Sequence, residues 1–160
     1  MLQIEGLLRQ LHSSGVNFIL LGGVAAAAHG SSQVTYDLDV CYERTDENIE
    51  RLAAALKGLN PKLRGAPENL PFRWDAQTIK AGLNFTLTTQ FGDLDFLGEV
   101  AGLGGYDQAM EYSETLDLMG MKCRVLTLEG LIKAKEAAGR EKDILHLKEL
   151  KALLEIRDKK

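Results

Sequence analysis

Asp37-Leu38-Asp39 sets two carboxylates two residues apart inside an alternating stretch, Tyr36 to Tyr42. Side chains at i and i+2 of a strand share a face. Asp37 and Asp39 therefore point one way, and Leu38 and Val40 point into a core. Two like charges a few ångströms apart raise each other's pKa unless a cation lies between them. A hard divalent ion such as Mg2+ takes oxygen ligands of this kind and keeps open positions for phosphate oxygens. The competing reading is a solvated strand face. Upstream, Gly22-Gly23 follows the apolar run Phe18 to Leu21 and opens an alanine-rich helix. Backbone without side chains approaches an anion closely, and the N–H groups at a helix start face it. Downstream, Asp95 sits between Leu94 and Phe96 as Asp39 sits between Leu38 and Val40. On a neighbouring strand it would face the same metals. Asp93 shares that parity but follows Gly92 and reads as an ordinary turn residue. A phosphate cradle beside a metal-holding carboxylate pair is what a nucleoside triphosphate requires.

The remaining sequence must supply the elements that hold these groups. Ile4, Leu7, Leu8 and Leu11 recur at helical spacing, and Ser13, Ser14 and Gly15 end that helix. Phe18 to Leu21 is a short buried strand, Ala25 to Ala28 lie in a closely packed helix, and Gly30, Ser31 and Ser32 make a turn. Asp46 reads as the N-cap of a helix carrying Ile49, Leu52, Ala53 and Leu56, which Gly58 closes. Asn60 to Asp75 holds all three prolines and little periodicity, and is expected to form a flexible rim. Leu83 to Thr88 and Leu94 to Leu97 suggest a hairpin around Gly92, and Thr115 to Met119 and Lys122 to Leu126 suggest another around Gly120. Thr127 starts a helix through Leu131, Ile132 and Ala138, and a last helix carries Ile144, Leu147, Leu150, Leu153 and Leu154. The expected architecture is a single α+β domain over residues 1–160: a mostly antiparallel or mixed sheet with packed helices and a helical C-terminal end.

Composition narrows the function. An apolar fraction of 45% and a charged fraction of 26% are those of a globular protein. No apolar leader and no run long enough to span a bilayer is present, so a cytoplasmic location without a membrane partner is expected. A net charge of −4 gives no global basic footprint for nucleic acid, although Lys and Arg cluster toward the C-terminus. Cys41 and Cys123 have no metal-type spacing and read as reduced, buried thiols.

The ordered set resembles a known pattern: Gly22-Gly23, thirteen intervening residues, Asp37-Leu38-Asp39, then an apolar-Asp-apolar element at Asp95. It is similar to the signature of the DNA polymerase β-like nucleotidyltransferases. Leu21-Gly22-Gly23-Val24-Ala25, the run from Gly30 through Thr35 to Asp39, Leu131-Ile132-Lys133-Ala134-Lys135, and Gly139-Arg140-Glu141-Lys142-Asp143 resemble the small bacterial AbiEii-like branch. Its members include toxins of toxin–antitoxin pairs. The resemblance covers roughly Val16 to Leu150, and its specificity lies in about a dozen positions.

The resemblance implies a nucleotidyltransfer that uses two Mg2+ ions, with Mn2+ as a substitute, and a nucleoside triphosphate such as ATP. Asp37 and Asp39 would hold the ion that carries the triphosphate. With Asp95 they would hold a second ion that activates an acceptor hydroxyl, and Asp95 would help to take its proton. Gly22 and Gly23 would bind the β- and γ-phosphates. The branch commonly carries an arginine two residues before the threonine of the Asp-x-Asp strand. Gln33 stands there, which can hydrogen-bond a phosphate but brings no charge. Lys135 falls where the branch has a lysine facing the site, to contact triphosphate or base. A solvated helix face is the alternative, and Lys133 is the competing position.

The implied acceptor is an RNA end such as that of a tRNA, a protein side chain, or a small hydroxylated molecule. The alternative is a catalytically inactive binding module or antitoxin-like protein on the same fold, working with a partner encoded by a neighbouring gene. The remaining candidates read as structural. Asp143 is a cap or ion-pair partner beside Arg140 and Lys142, His29 packs at a helix end, and His12 and His146 lack metal spacing. Trp74 anchors its loop or covers a base. Gly98 to Gly105 lacks the Gly-Lys-Ser/Thr of a phosphate loop and reads as a flexible connection whose motion gates the site.

Overall fold

The computed structural model describes residues 2–159. In chain order the first elements are Ile4–Ser13 (α1), Phe18–Leu21 (β1), Gly22–Ala28 (α2), Asp37–Tyr42 (β2) and Asp46–Leu56 (α3). Lys62–Leu63 (β3), Ala76–Ala81 (α4), Asn84–Thr89 (β4), Gly92–Leu97 (β5), Glu99–Val100 (β6) and Gly104–Gly105 (β7) follow. The chain continues through Tyr106–Met110 (α5), Ser113–Leu118 (β8), Met121–Leu126 (β9), Leu128–Ala138 (α6) and Ile144–Asp158 (α7).

All four residues of β1 are buried, because the strand lies inside a seven-stranded sheet of order β3-β4-β5-β2-β1-β9-β8. β1 runs antiparallel to β2 and parallel to β9, and β2 runs parallel to β5. Two antiparallel hairpins, β4–β5 and β8–β9, complete the sheet. The fold is therefore α+β with a mixed sheet, and a separate two-stranded ribbon pairs β6 with β7. α2 packs on β2, α6 packs on α2 and β9, and α6 and α7 pack on each other, which forms the helical C-terminal end. α1 and α4 both pack on α3. Leu38, Val40, Leu94 and Phe96 are fully buried on the sheet face opposite the aspartates. No helix among the described residues is long and apolar enough to cross a membrane.

Several local expectations change. Thr45, not Asp46, caps α3: its side chain accepts from the Asn48 N–H, and Asp46 is the first helical residue. A β-region backbone and a short hydroxyl at Thr45 suit that position, while Asp46 still favours the helix start by charge. Gly58 does not close the helix. It lies inside a 3-10 turn, Lys57–Leu59, and Asn60 takes the left-handed conformation with φ 52°. The segment from Asn60 to Asp75 is not wholly irregular, because β3 pairs with β4 at the sheet edge. α4 and α5 were not expected from periodicity, being six and five residues long. The stretch from Gly98 to Gly105 contains the β6–β7 ribbon, with Gly102 pressed so closely on α6 that a Cβ would lie 2.7 Å from that of Ala137. Cys41 and Cys123 are free and buried, as expected.

Trp74 is an anchor. Its ring stacks on Phe96 with centroids 5.9 Å apart, meets Phe85 edge-on, and its Nε1 donates to the Ala53 carbonyl at 3.1 Å. It thereby ties the segment before α4 to the back of β5, the strand that carries Asp95. Truncating this ring removes both the stacking and the hydrogen bond. Trp74→Ala is expected to lower stability by about 3 kcal/mol, read as a reduced urea midpoint with an unchanged slope.

Candidate active site

Strand pairing brings the acidic residues together. In the parallel β2–β5 register Asp37 lies opposite Asp93 and Asp39 opposite Asp95, so all four share one sheet face. One carboxylate oxygen from each of Asp37, Asp39 and Asp95 lies within 4.8 Å of the others. Asp93 belongs to the strand and not to the turn. It accepts from Thr88 Oγ1 at 3.2 Å and lies 3.3 Å from the Nε of Arg64.

Arg64 is the residue that sequence reasoning missed. Its Nη2 donates to Asp95 Oδ1 at 2.6 Å and to the Leu87 carbonyl at 2.9 Å, and its Nη1 lies 3.9 Å from Asp37 Oδ2. The only sequence signal is that Leu63 is apolar between two cations. The long-range pairing of β3 with β4 is what turns Arg64 toward the aspartates.

One cation does not neutralise this cluster. Burial pushes the Asp39 carboxyl up from 3.8 to about 8, reinforced by the charges of Asp37 and Asp95, with Arg64 pulling the other way. Asp37 is raised too, first by burial and then by the charge of Asp95 and a hydrogen bond with it. Three carboxylate oxygens within 4.8 Å of one another would be drawn together by a cation seated among them. The donor set, all carboxylate oxygen, suits Mg2+ or Mn2+.

The glycines stand where backbone must pass close to this cluster. Leu21 pairs with Asp39, and the next residue, Gly22, has φ 66°. A Cβ on Gly22 would lie 2.0 Å from Asp39 Oδ2, and one on Gly23 would lie 2.6 Å from Thr35 Oγ1. That hydroxyl donates to the Asp37 carbonyl at 2.9 Å, which fixes the entry into β2. α2 is only seven residues long. An anion beside these glycines would meet individual N–H groups and not the end of a long dipole.

Gly22, Gly23, Gln33, Lys135 and the three aspartates all line one cavity of about 680 Å3. Its far wall comes from α6 and α7. Lys135 Nζ lies 3.2 Å from Asp143 Oδ1, and Arg140 Nε donates to Asp143 Oδ2 at 2.6 Å. Burial alone would raise the Asp143 carboxyl, but the hydrogen bonds from Arg140 and Lys135 hold it below the ordinary range. Lys133 instead sits 5.7 Å from the Tyr112 ring centroid. Gln33 is exposed and its Oε1 accepts from His146 Nε2 at 3.0 Å. Glu149 receives the Ser31 hydroxyl and the Ser32 N–H and hydroxyl, tying the turn after α2 to α7. His29 donates from Nε2 to the Leu126 carbonyl at 2.7 Å, a packing role. Tyr36, 79% exposed just before Asp37, lines the cavity as well.

No protein-family model matches the chain, and no curated protein sequence does. Solved structures do. The lincosamide antibiotic adenylyltransferase LnuA, bound to lincomycin, matches with a TM-score of 0.62 and 14% identity over 95% of this chain and 98% of LnuA. TM1012 of Thermotoga maritima, assigned as a nucleotidyltransferase, gives 0.55 and 18% over 93% of this chain and 94% of its own. ANT(2″)-Ia, in complex with adenylyl-2″-tobramycin, gives 0.53 and 14% over 81% of this chain and 70% of its own. At such identities the likeness is one of fold. The chain has the nucleotidyltransferase fold.

The pKa of Asp39 has a signed consequence. A carboxyl raised in the folded state binds its proton more tightly there than in the unfolded chain. The stability contributed by Asp39 is then greatest below about pH 4 and is lost as pH climbs toward 8. Asp39→Asn removes that charge. In metal-free buffer it is expected to melt above the wild type at pH 8 by about 2 kcal/mol, with the gap closing below pH 4. Thermal melts across that range in the presence of chelator read it directly.

Proposed function

We propose that the chain is a metal-dependent nucleotidyltransferase acting as one domain, moving a nucleoside monophosphate from a nucleoside triphosphate to an acceptor hydroxyl. The observation that carries this reading is the convergence of Asp37, Asp39 and Asp95 beside the side-chain-free backbone of Gly22. Asp37 and Asp39 would hold the ion that accompanies the triphosphate, and with Asp95 a second ion. Such ions, when bound, supply Lewis-acid stabilisation of the attacking and leaving oxygens. The protein's own groups do the rest. The N–H groups of Gly22 and Gly23 orient the β- and γ-phosphates, and Lys135, braced by Asp143, meets their negative charge from the opposite wall. Gln33 adds a neutral hydrogen bond where the related branch has an arginine. Tyr36 offers an exposed ring for a base or acceptor. The acceptor oxygen attacks the α-phosphorus, the bond to the bridging oxygen breaks, and pyrophosphate departs with the electron pair. Asp95 would take the acceptor's proton.

Two of the neighbours by fold hold an antibiotic or its adenylylated product, and LnuA is matched over nearly its whole length. A small hydroxylated molecule is therefore the favoured acceptor, with RNA ends and protein side chains as competing outcomes. Membership of the AbiEii-like branch, and with it a toxin–antitoxin role and a partner protein, rests on sequence motifs alone.

A second reading has its own support: a binding module without activity. Gln33 in place of arginine and Arg64 seated among the carboxylates both favour it. Titration separates the two. The wild type is expected to gain roughly 5–10 °C in melting temperature with Mg2+ and a triphosphate at about a hundred times its Kd. Absence of any shift with all four ribonucleoside triphosphates removes the enzymatic reading. Asp37→Ala and Asp39→Ala are each expected to stop transfer of α-labelled phosphate to background while the circular dichroism spectrum stays unchanged. Transfer at wild-type rates by either variant contradicts the assignment. Lys135→Met is expected to raise KM for the triphosphate about tenfold with a smaller change in kcat, read from steady-state kinetics.

A further inference from the structure

Arg64 stands in the middle of the acidic cluster at a cost to its own hydrogen bonding. Nε is buried and makes no hydrogen bond among the described residues, although Asp93 Oδ2 lies only 3.3 Å away. Nη2 meets Asp95 Oδ1 at 2.6 Å, and Nη1 lies 3.9 Å from Asp37 Oδ2. Two of the three carboxylates whose oxygens converge within 4.8 Å thus already face a cation of the protein's own. Asp95 has few acceptor sites, and the short bond from Arg64 uses one of them. A guanidinium and a divalent ion therefore answer the same excess of negative charge.

Only the side chain needs to move for one to replace the other. The Arg64 N–H donates to the Thr86 carbonyl at 2.9 Å, so its backbone is fixed to the sheet edge. The side chain is 31% exposed. Thr86 and Thr88 of β4 are exposed, and Thr88 Oγ1 meets Asp93 on the aspartate face. The guanidinium thus has a path to solvent beside the cluster.

We infer that Arg64 is a resident cation that divalent metal displaces from Asp95 and Asp37, and that the displaced guanidinium then pairs with the triphosphate. This rests on the reading of Asp37, Asp39 and Asp95 as metal ligands. Metal binding alone works against the Arg64 contacts, and nucleotide gives the released arginine a new partner. Metal and nucleotide therefore bind with positive coupling, and Arg64 carries part of it.

The test is titration of Mn2+ followed by electron paramagnetic resonance, on the wild type, Arg64→Gln and Arg64→Lys, with and without an α,β-methylene analogue of ATP. Melting curves confirm that each is folded, and Arg64→Lys serves if Arg64→Gln does not fold. Without nucleotide, Arg64→Gln is expected to bind Mn2+ about tenfold more tightly than the wild type, since it lacks one charge-assisted contact of that strength. Arg64→Lys is expected between the two, because a compact ammonium does not span Asp95 and Asp93 together. The enhancement of Mn2+ affinity by the analogue is expected to shrink in Arg64→Gln. Equal or weaker Mn2+ binding by the variants overturns the inference and leaves the metal site standing. Failure of all three proteins to bind Mn2+ overturns both.

Discussion

Mutual repulsion of carboxylates, locked in place by strand register, is the constraint around which the molecule is arranged. The parallel pairing of β2 with β5 sets Asp37 beside Asp93 and Asp39 beside Asp95. That pairing sets like charges against one another, as the upward shift of Asp39 shows. The opposing term is on the reverse face, where Leu38, Val40, Leu94 and Phe96 are fully buried. A slip of one residue would bury acids and expose this apolar set. Hydrophobic register thus enforces an electrostatic arrangement that the charged groups alone would avoid.

The cavity has two chemically different walls. On the sheet side, the carboxylates of Asp37, Asp93 and Asp95 surround one guanidinium, and the Gly22 backbone leaves no room for a side chain beside Asp39. On the helical side, Asp143 draws Lys135 and Arg140 together and leaves a net positive pair. A ligand bearing both bound cations and phosphate oxygens matches the two walls at once. Glu149, gripping the turn that follows α2, ties the walls together across more than a hundred residues of sequence.

Much of this is legible in the sequence. Asp37, Asp39 and Asp95 announce their facing by period-two alternation, a local property, and the sheet honours it. The buried β1, the two hairpins, the helices at both ends and the mixed α+β architecture follow from similar local patterns. Arg64 was not legible, because its direction comes from a two-residue strand paired with β4 more than twenty residues away. The same holds for Asp93, which reads as a turn residue until the β2 pairing is known. Thr45 displaced Asp46 as the cap because both residue types suit that place and only the backbone decides. Lys135 and Lys133, indistinguishable in sequence, separate once α6 is docked: one faces the cavity, the other the Tyr112 ring.

Trp74 is the sole tryptophan of the chain, and it belongs to the same segment as Arg64. Its indole rests on Phe96, the residue after Asp95, on the reverse side of the sheet. The chain therefore carries a single indole fluorophore one sheet thickness behind the carboxylates. Its emission is an optical readout of that strand and that loop, free of any background from other indoles.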